Sequence, residues 1–299
     1  MRVVVTGSTG FIGSALVSAL EQRDDEVVRL ARGSGASAGP TWDPEAGTIA
    51  SNVFDGVDAV VHLAGEGIGE KKWTPEQKRR VLESRVKGTT LIARTLAEQA
   101  SKPAVLVSGS AIGYYGDRGD ETLDETSTNG DDFLAGVCRQ WEAAAQPAID
   151  AGIRVVNVRT GIVLDPRGGV LKRLLPPFRF GLGGRVASGK QWMSWITLGD
   201  TVGAILHAVD HESLRGPVNL TAPNPATNAE LTKALGAALH RPTVLPTPLF
   251  PLKLLYGSEL VAALLVGGQR VTPRRLLDDG YVFADTDLLA ALQSMLGRS

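Results

Sequence analysis

The sequence predicts an α/β protein with a doubly wound parallel sheet and a smaller C-terminal α/β cap. Apolar β-branched runs alternate with helical patterns through the first half of the chain, which is typical of a parallel sheet covered by helices. Continuous runs such as Ala59-Val60-Val61 indicate strands buried on both faces. After about residue 165 the pattern becomes irregular, which indicates the cap. We therefore expect residues 1–165 to form the sheet domain, with a returning segment near 196–222, and residues 166–299 to form mostly the cap.

Each element of this fold follows from a local pattern. Runs of aliphatic residues between turn signals predict strands at 3–6, 27–31, 41–43, 58–63, 104–108, 154–158 and 218–220. Apolar residues at helical spacing predict helices at 12–22, 75–99, 133–151, 201–210, 228–239 and 288–296.

Acidic residues that precede two of these helices are interpreted as N-terminal caps. Asp131-Asp132 stands before the helix at 133–151, and Asp200 stands before the helix at 201–210. A carboxylate in this position accepts hydrogen bonds from free backbone N–H groups and meets the positive end of the helix dipole. We expect both sites to stabilise helix starts.

The second half also contains a proline pair and an apolar stretch. Pro176-Pro177 is expected to interrupt the chain, because proline lacks an N–H donor and clashes with the preceding helical turn. In the stretch 245–265, Leu252, Leu255 and Tyr256 recur at helical spacing. We expect this stretch to pack in the core of the cap.

The composition excludes several classes of protein. The 31 basic and 32 acidic residues give a net charge of −1, which argues against a nucleic-acid partner. The single cysteine, Cys138, allows no intrachain disulfide, and no signal-peptide pattern or apolar run of about 20 residues is present. We therefore expect a cytoplasmic protein with a small-molecule substrate and no membrane partner. No metal site is predicted, and the oligomeric state and the substrate's identity stay open.

A glycine-rich turn is the most informative stretch of the sequence. The first predicted strand leads directly into Gly7-x-x-Gly10-x-x-Gly13, which opens an amphipathic helix. The first glycine permits a tight turn, the second lets the backbone approach a pyrophosphate, and the third lets the helix pack on the strand. This context predicts a Rossmann-type dinucleotide site. Its expected cofactor contacts are Gly7, Thr9, Gly10, Phe11, Ile12 and Gly13.

The end of the second strand indicates which dinucleotide is bound. Proteins that prefer NAD carry an acidic residue there to bond the ribose hydroxyls, whereas this chain has Arg32. A guanidinium matches the geometry of a 2′-phosphate. The sequence therefore favours NADP (NADPH) over NAD.

Several motifs identify a family resemblance that covers nearly the whole chain. They are Thr6-Gly7-x-x-Gly10-x-x-Gly13, Asp58-Ala59-Val60-Val61-His62-Leu63-Ala64-Gly65-Glu66, Ser84-Arg85, Trp141-Glu142-Ala143-Ala144, Ser194-Trp195-Ile196 and Gly268-Gln269-Arg270-Val271. With these motifs the chain resembles the extended short-chain dehydrogenase/reductase family. Within that family it is similar to the atypical "epimerase family" group, whose members end in a C-terminal domain of unknown function.

The resemblance implies positions for further cofactor contacts. Leu63, Ala64 and Gly65 would line the nicotinamide side of the dinucleotide. Arg80 and Arg85, on the helix that follows, would lie near the cofactor. They are five residues apart and so point in different directions, and Arg85, in the Ser84-Arg85 motif, is the preferred phosphate contact. The resemblance also implies an oxidoreductase or a nucleotide-sugar-epimerase-like enzyme.

The acid–base pair typical of this family is absent. Such enzymes use a serine, a tyrosine base and a lysine four residues after the tyrosine. The serine is expected to be Ser110, although the register also admits Ser108, which is otherwise assigned to the cofactor. The positions of the pair hold either Val137 and Trp141 or Cys138 and Glu142, and the two registers stay open.

Two functions therefore compete. In the first, Ser110 donates a hydrogen bond to a substrate carbonyl, while Tyr115 or a water supplies the proton. Cys138 is interpreted as core packing, and Glu142 is either a general base or a surface carboxylate. In the second, the missing pair indicates a non-catalytic NADPH-binding sensor or regulatory protein.

Overall fold

The computed structural model describes residues 1–33 and 39–297. The elements of its first half are β1 (Arg2–Thr6), α1 (Phe11–Gln22), β2 (Glu26–Arg32), β3 (Thr41–Asp43), β4 (Thr48–Ile49), β5 (Ala59–His62), α2 (Pro75–Ala97), β6 (Val105–Ala111), β7 (Thr122–Leu123), α3 (Phe133–Ala143), α4 (Gln146–Asp150) and β8 (Arg154–Thr160). The elements of its second half are β9 (Ile162–Asp165), α5 (Gly169–Arg179), β10 (Trp192–Met193), β11 (Trp195–Thr197), α6 (Leu198–Asp210), β12 (Gly216–Leu220), β13 (Ala226–Thr227), α7 (Asn228–Leu239), α8 (Leu249–Tyr256), α9 (Ser258–Val261), β14 (Arg270–Val271), α10 (Arg274–Asp278) and α11 (Leu288–Leu296).

The main sheet has eight strands in the order β12-β8-β6-β5-β1-β2-β3-β4. All neighbouring strands are parallel except β3 and β4. From β1 the chain first builds outward through β2 and β3, and then crosses to build β5, β6, β8 and β12 on the other side. The strand order therefore reverses between β1 and β5, where such sheets bind ligands beyond the carboxyl ends of the strands. The predicted Rossmann-type doubly wound fold is confirmed.

Both faces of the sheet are buried, which explains the continuous apolar runs. Successive strand residues point to opposite faces. Val3 and Val5 therefore pack in a cluster with α1 and α6, whereas Val4 packs in a second cluster with α2 and α4. A third cluster joins β9, α5, α7 and α11 around Trp195, which is completely buried. This third cluster is the core of the smaller cap.

The segment predicted to return to the sheet, 196–222, lies against it. It contains α6, which packs beside α1, and β12, which forms the edge of the main sheet next to β8. The exact domain boundaries stay a prediction. None of the helices in the described part of the chain is long and apolar enough to cross a membrane.

Two expectations about helices differ from the structure. The helix predicted at 133–151 is broken into α3 and α4, because Pro147 lacks an N–H donor and starts a new helix instead of continuing the old one. Asp132 caps α3 as predicted, accepting a 2.8 Å hydrogen bond from Ala135 N. By contrast, Pro176-Pro177 lies inside α5, where burial of neighbouring apolar side chains offsets the lost hydrogen bonds.

The interpretation of Asp200 as a cap was wrong. Thr197 caps α6, and Asp200 lies within the first turn, 2% exposed. Its carboxylate accepts 2.9 Å hydrogen bonds from the backbone N–H groups of Ala284 and Asp285 and a 3.2 Å bond from the Tyr281 hydroxyl. Asp200 therefore joins α6 to the C-terminal segment.

The expected packing of 245–265 was wrong for α8, whereas Leu260 and Val261 of α9 are buried as expected. No residue of α8 is buried, and Leu254 and Leu255 are 68% and 61% exposed. Leu252 and Tyr256 are half-buried. The apolar pattern therefore marks an exposed apolar surface of the cap.

Candidate cofactor cleft and catalytic site

The glycine turn after β1 has a geometry that only glycine permits. Gly7 has a φ of +70°, and a Cβ atom there would lie 2.9 Å from the backbone of Leu63 and Ala64. The N–H of Gly10 donates a 2.9 Å hydrogen bond to the carbonyl of Gly7. A Cβ atom on Gly13 would lie 2.1 Å from the same carbonyl oxygen, which is an overlap. The turn therefore holds the start of α1 directly against β1 and β5.

The N-terminus of α1 is open toward this turn. Gly10 is the N-cap residue, no side chain caps the helix, and the first turn carries no acidic residue. The first N–H groups of a helix lack intrahelical partners, and the dipole places positive potential there. Such an end is a suitable site for an anionic phosphate.

A cleft of about 280 Å³ opens beside the turn, at the carboxyl ends of β1, β2 and β5. Its lining residues are Gly7, Thr9, Gly10, Arg32, Trp42, Pro44, Leu63, Ala64, Gly65, Glu66 and Ser84. The structure therefore brings together seven predicted contacts that are distant in sequence. Sequence reasoning missed Trp42 and Pro44, although the short strand at 41–43 was expected; only the pairing of β3 with β2 places them at the cleft.

An adjoining cleft of about 340 Å³ shares Arg32, Glu66 and Ser84 with the first. It adds Arg79 and Arg80 together with three carboxylates, Glu45, Glu76 and Glu83. Arg79 and Arg80 both pair with Glu76, at 2.8 and 3.2 Å. Within the described residues Arg32 makes no hydrogen bond or ion pair. Its guanidinium is therefore available for an anion at the junction of the two clefts.

Arg85 lies beside Gly65 and is engaged by backbone carbonyls. Its Nη1 donates to the backbone carbonyls of Glu66 and Val81, at 2.9 and 3.0 Å, and its guanidinium lies over the ring of Trp141. Ser84 Oγ accepts a 3.1 Å hydrogen bond from Glu66 N. The Ser84-Arg85 motif therefore fixes the loop after β5, and a phosphate contact by Arg85 stays a prediction.

The apolar residues of the turn contribute to packing. A Cβ atom on Gly168 or Gly169 would lie 2.4 or 3.1 Å from the Phe11 ring, so this ring stacks directly on the backbone after β9. Ile12 packs against the buried cluster between the sheet and α6. Direct contact of Phe11 or Ile12 with a cofactor stays a prediction.

Ser110 lies near the end of β6 and belongs to a buried polar network. Its Oγ donates a 2.7 Å hydrogen bond to Oε1 of Glu142 on α3. Arg159 on β8 holds the same carboxylate with two bonds, Nε to Oε1 at 2.8 Å and Nη2 to Oε2 at 2.9 Å. The Arg159 side chain is 3% exposed and that of Glu142 is 12% exposed. The guanidinium thus compensates a carboxylate charge that has left bulk water.

Tyr115 lies on the buried side of the network formed by Ser110, Glu142 and Arg159. It is completely buried, and its hydroxyl donates a 2.7 Å hydrogen bond to Asn219 Oδ1 and accepts one from Arg159 Nη1 at 3.0 Å. Burial raises the pKa of Tyr115 to about 12. The arrangement does not support Tyr115 as the proton donor. Its neighbour Tyr114 is half-buried, and the Arg159 guanidinium lies 3.4 Å from the centre of its ring.

The structure distinguishes between the alternatives that the sequence left open. Ser110 contacts Glu142, whereas Ser108 is completely buried two residues earlier on β6, with no hydrogen bond for its Oγ in the described part of the chain. Burial also argues against Ser108 as a cofactor contact. On α3, Trp141 turns to α2 and donates to Thr89 Oγ1 at 3.0 Å. The Trp141 ring also packs on Gly109 of β6, but the residue of α3 that bonds Ser110 is Glu142.

Cys138 lies one turn before Glu142 and has the properties of a packing residue. It is 3% exposed, and burial raises the pKa of its thiol to about 12. A thiol that stays protonated at neutral pH is a poor nucleophile. The interpretation of Cys138 as core agrees with this geometry.

The strand order, the glycine turn and the serine at the end of β6 define a Rossmann-type protein of the short-chain dehydrogenase/reductase class. Residues 3–220 match the model of the NAD dependent epimerase/dehydratase family, and residues 247–295 match a domain of unknown function, DUF1731. The chain belongs to the NAD dependent epimerase/dehydratase family.

Known proteins resemble the chain along its whole length. The epimerase family protein ML0860 of Mycobacterium leprae is 42% identical over 291 residues, which are 97% of this chain and 94% of the relative. The crystal structure of human epimerase family protein SDR39U1 (isoform 2) with NADPH has a TM-score of 0.91 and 36% identity, and covers 100% of both chains. The nucleoside-diphosphate sugar epimerase from Corynebacterium glutamicum has a TM-score of 0.82 and 38% identity over 99% of this chain and 58% of its own.

Proposed function

We propose that the chain binds NADPH in the cleft between β1 and β5 and catalyses hydride transfer between this cofactor and a small hydroxyl- or carbonyl-bearing molecule. The observation that carries the proposal is the glycine turn, which opens onto a cleft whose far side holds Arg32 without an ion-pair partner in the described residues. The similarity to SDR39U1, crystallised with NADPH, supports it.

The residues present fit a dinucleotide. A Cβ atom at Gly7 or Gly13 would fill the space in which backbone and helix meet, so the turn is built for close backbone approach. Gly10 and the N-terminus of α1 would hold the pyrophosphate. Arg32, with Arg80 beside it, would hold the 2′-phosphate, and residues 63–65 would line the nicotinamide side.

When bound, the cofactor supplies or accepts a hydride at its nicotinamide ring. The chain's own residues then have to move one proton. In alcohol oxidation, Ser110 Oγ takes the proton of the substrate hydroxyl while its own proton passes to Glu142 along the 2.7 Å hydrogen bond. Carbonyl reduction is the reverse. Arg159 positions Glu142, so that serine, glutamate and arginine together replace the missing tyrosine and lysine.

Calorimetric titration with NADPH and NADH tests cofactor binding. We expect NADPH to bind at least about tenfold more tightly, a difference of about 1.4 kcal/mol. Arg32→Ala is expected to lose most of this preference while NADH binding changes little. Arg29→Ala, which removes an exposed arginine of the same strand that pairs with Glu21, is the matched control. Equal affinities for the two cofactors, or a preference that survives Arg32→Ala, would contradict the assignment.

A second function is favoured by one observation, the two bonds from Arg159 that already engage the Glu142 carboxylate. In this alternative the chain is an NADPH-binding sensor or regulatory protein without catalysis. Absorbance at the reduced-nicotinamide band distinguishes the two functions. If bound NADPH is never oxidised across a broad panel of aldehydes, ketones and nucleotide sugars, the sensor is supported and hydride transfer is refuted.

A further inference from the structure

Two histidines and an aspartate form a cluster away from the cofactor cleft, at the C-terminal end of α6. His207 and His211 are four residues apart and face the same side, and Asp279 directly follows α10. Asp279 Oδ2 lies 2.8 Å from His207 Nε2 and 3.3 Å from His211 Nδ1. All three donor atoms lie within 4.8 Å of one another.

We propose that this cluster binds one Zn²⁺ ion. Two imidazole nitrogens and a carboxylate oxygen are a donor set that zinc accepts, and histidines at i and i+4 of a helix present both rings to one ion. Ligand atoms of a tetrahedral zinc with bonds of about 2.0–2.1 Å lie about 3.3 Å apart. The two measured separations of 2.8 and 3.3 Å are close to this value.

The shape of the cluster provides access for the ion and an adjustable ligand. The His211 side chain is 46% exposed, whereas those of His207 and Asp279 are 11% and 12% exposed. Two ligands are therefore held by their surroundings, and the third can rotate. A water from the solvent side would complete the coordination.

A second layer of contacts orients the carboxylate. The Ser213 hydroxyl donates to Oδ1 of Asp279, which leaves Oδ2 for the histidine side. Burial opposes ionisation of Asp279, but the hydrogen bonds from Ser213 and His207 outweigh it and hold the pKa of this carboxyl below its usual value. Such outer contacts are typical of metal ligands.

Arginines also lie near the cluster, but they leave the Asp279 carboxylate without an arginine ion pair in the described residues. Arg154 interacts electrostatically with Glu212, Arg215 and Asp279. Its guanidinium donates to carbonyl oxygens of Ala208, Val209 and Leu214, so it caps the C-terminal end of α6. Oδ2 of Asp279 is therefore left to the two histidines.

A zinc ion here would join two distant parts of the chain. His207 and Asp279 are 72 residues apart, and the first belongs to the region that matches the NAD dependent epimerase/dehydratase family, whereas the second belongs to the DUF1731 region. The ion would therefore cross-link α6 and the C-terminal segment and stabilise their packing.

Zinc titration of untagged, chelator-stripped protein tests the proposal. We expect one equivalent of Zn²⁺ to bind and to raise the Tm by about 5 °C at zinc concentrations well above Kd. Mg²⁺, which prefers oxygen ligands, should give no shift. His211→Ala is expected to weaken zinc binding at least about tenfold. It keeps the hydrogen bond between His207 and Asp279 but removes the contacts of His211 with both residues. Its Tm is therefore measured with and without zinc, and the rise on adding zinc should be lost.

His240→Asn is the matched control, since this exposed histidine lies outside the cluster and asparagine tolerates its left-handed φ of +53°. It should bind zinc as the wild type does. Less than one tightly bound equivalent in the wild type would overturn the proposal. Equal zinc affinity in His211→Ala and the wild type would also overturn it. The cluster would then only join α6 to the C-terminal segment by hydrogen bonds.

Discussion

Ser110 Oγ and Glu142 Oε1 are joined by a hydrogen bond of 2.7 Å between the end of β6 and the side of α3. The sequence alone left open which residue of α3 contacts this serine. The residue that faces Ser110 here is a carboxylate, and a buried arginine on β8 holds it in place. The proposed function therefore depends on whether a proton passes between Ser110 and Glu142.

Removing either member of this pair should lower the rate of hydride transfer. We expect Ser110→Ala and Glu142→Gln each to reduce kcat by about 10²- to 10⁴-fold, because each removes one step of proton transfer. The affinity for NADPH, measured by calorimetry, should change little. Ser18→Ala, on an exposed turn of α1, is the control and should leave both quantities unchanged. Full turnover in Ser110→Ala would remove this serine from the mechanism.

Replacing Arg159 should destabilise the fold. Arg159→Met leaves Glu142 and the Tyr115 hydroxyl buried without their cationic partner, and we expect the free energy of unfolding to fall by about 3–5 kcal/mol. Urea denaturation measures this loss. The double variant Arg159→Met/Glu142→Gln has no uncompensated charge and should recover part of it. A double variant that is no more stable than the single one would show that the ion pair does not carry the effect.

Adding one methyl group at Gly13 should disrupt the glycine turn. In Gly13→Ala the new Cβ atom would lie 2.1 Å from the Gly7 carbonyl oxygen, so α1 must shift away from the strand. We expect a lower Tm and a loss of NADPH binding. Gly136→Ala, in the middle of α3 where a Cβ atom meets nothing within 4 Å, should instead stabilise the protein by about 0.5–1 kcal/mol. Equal effects of the two substitutions would contradict the close packing of the turn.

Burial of His62 should make the protein sensitive to acid. His62 is completely buried against Trp42 and bonded to Thr6, and burial lowers its pKa from 6.5 to about 4. Between these values the unfolded chain binds the proton more tightly. Stability present above pH 6.5 is therefore lost as the pH falls toward 4, by about 3 kcal/mol in total.

Urea denaturation at pH 7 and pH 4 measures this dependence. His62→Gln, which keeps a polar partner for Thr6, should show a smaller loss of stability between the two pH values. The exposed His240 provides the control, and His240→Asn should retain the wild-type loss. Parallel pH profiles for His62→Gln and the wild type would exclude His62 as the cause.

The fold and the glycine turn were predictable because the sequence patterns that indicate them are local. The close contacts of Gly10 and Gly13 with the Gly7 carbonyl involve neighbours in sequence, and the continuous apolar runs indicate strands buried on both faces. Helix breaks were less predictable, since the break before Pro147 and the continuity through Pro176-Pro177 depend on what packs beside each proline.

The buried polar network around Ser110 was not predictable in the same way. Ser110 and Glu142 are 32 residues apart, and the buried hydroxyl of Tyr115 donates its hydrogen bond to Asn219, 104 residues away. No pattern in the sequence distinguishes a tyrosine that meets a distant asparagine from one that meets substrate. The role of Arg85 was missed for a similar reason, since its partners are backbone carbonyls, which have no signature in the sequence.

Asp200 has a consequence for the cooperativity of the whole chain. Its buried carboxylate depends on the N–H groups of Ala284 and Asp285, so the sheet's helix α6 receives hydrogen bonds from the DUF1731 region. A truncation at residue 220 would remove both of these N–H donors and the Tyr281 hydroxyl, and would leave the Asp200 carboxylate with Thr197 as its side-chain partner. We therefore expect the two regions that match separate family models to unfold in one transition of the full chain.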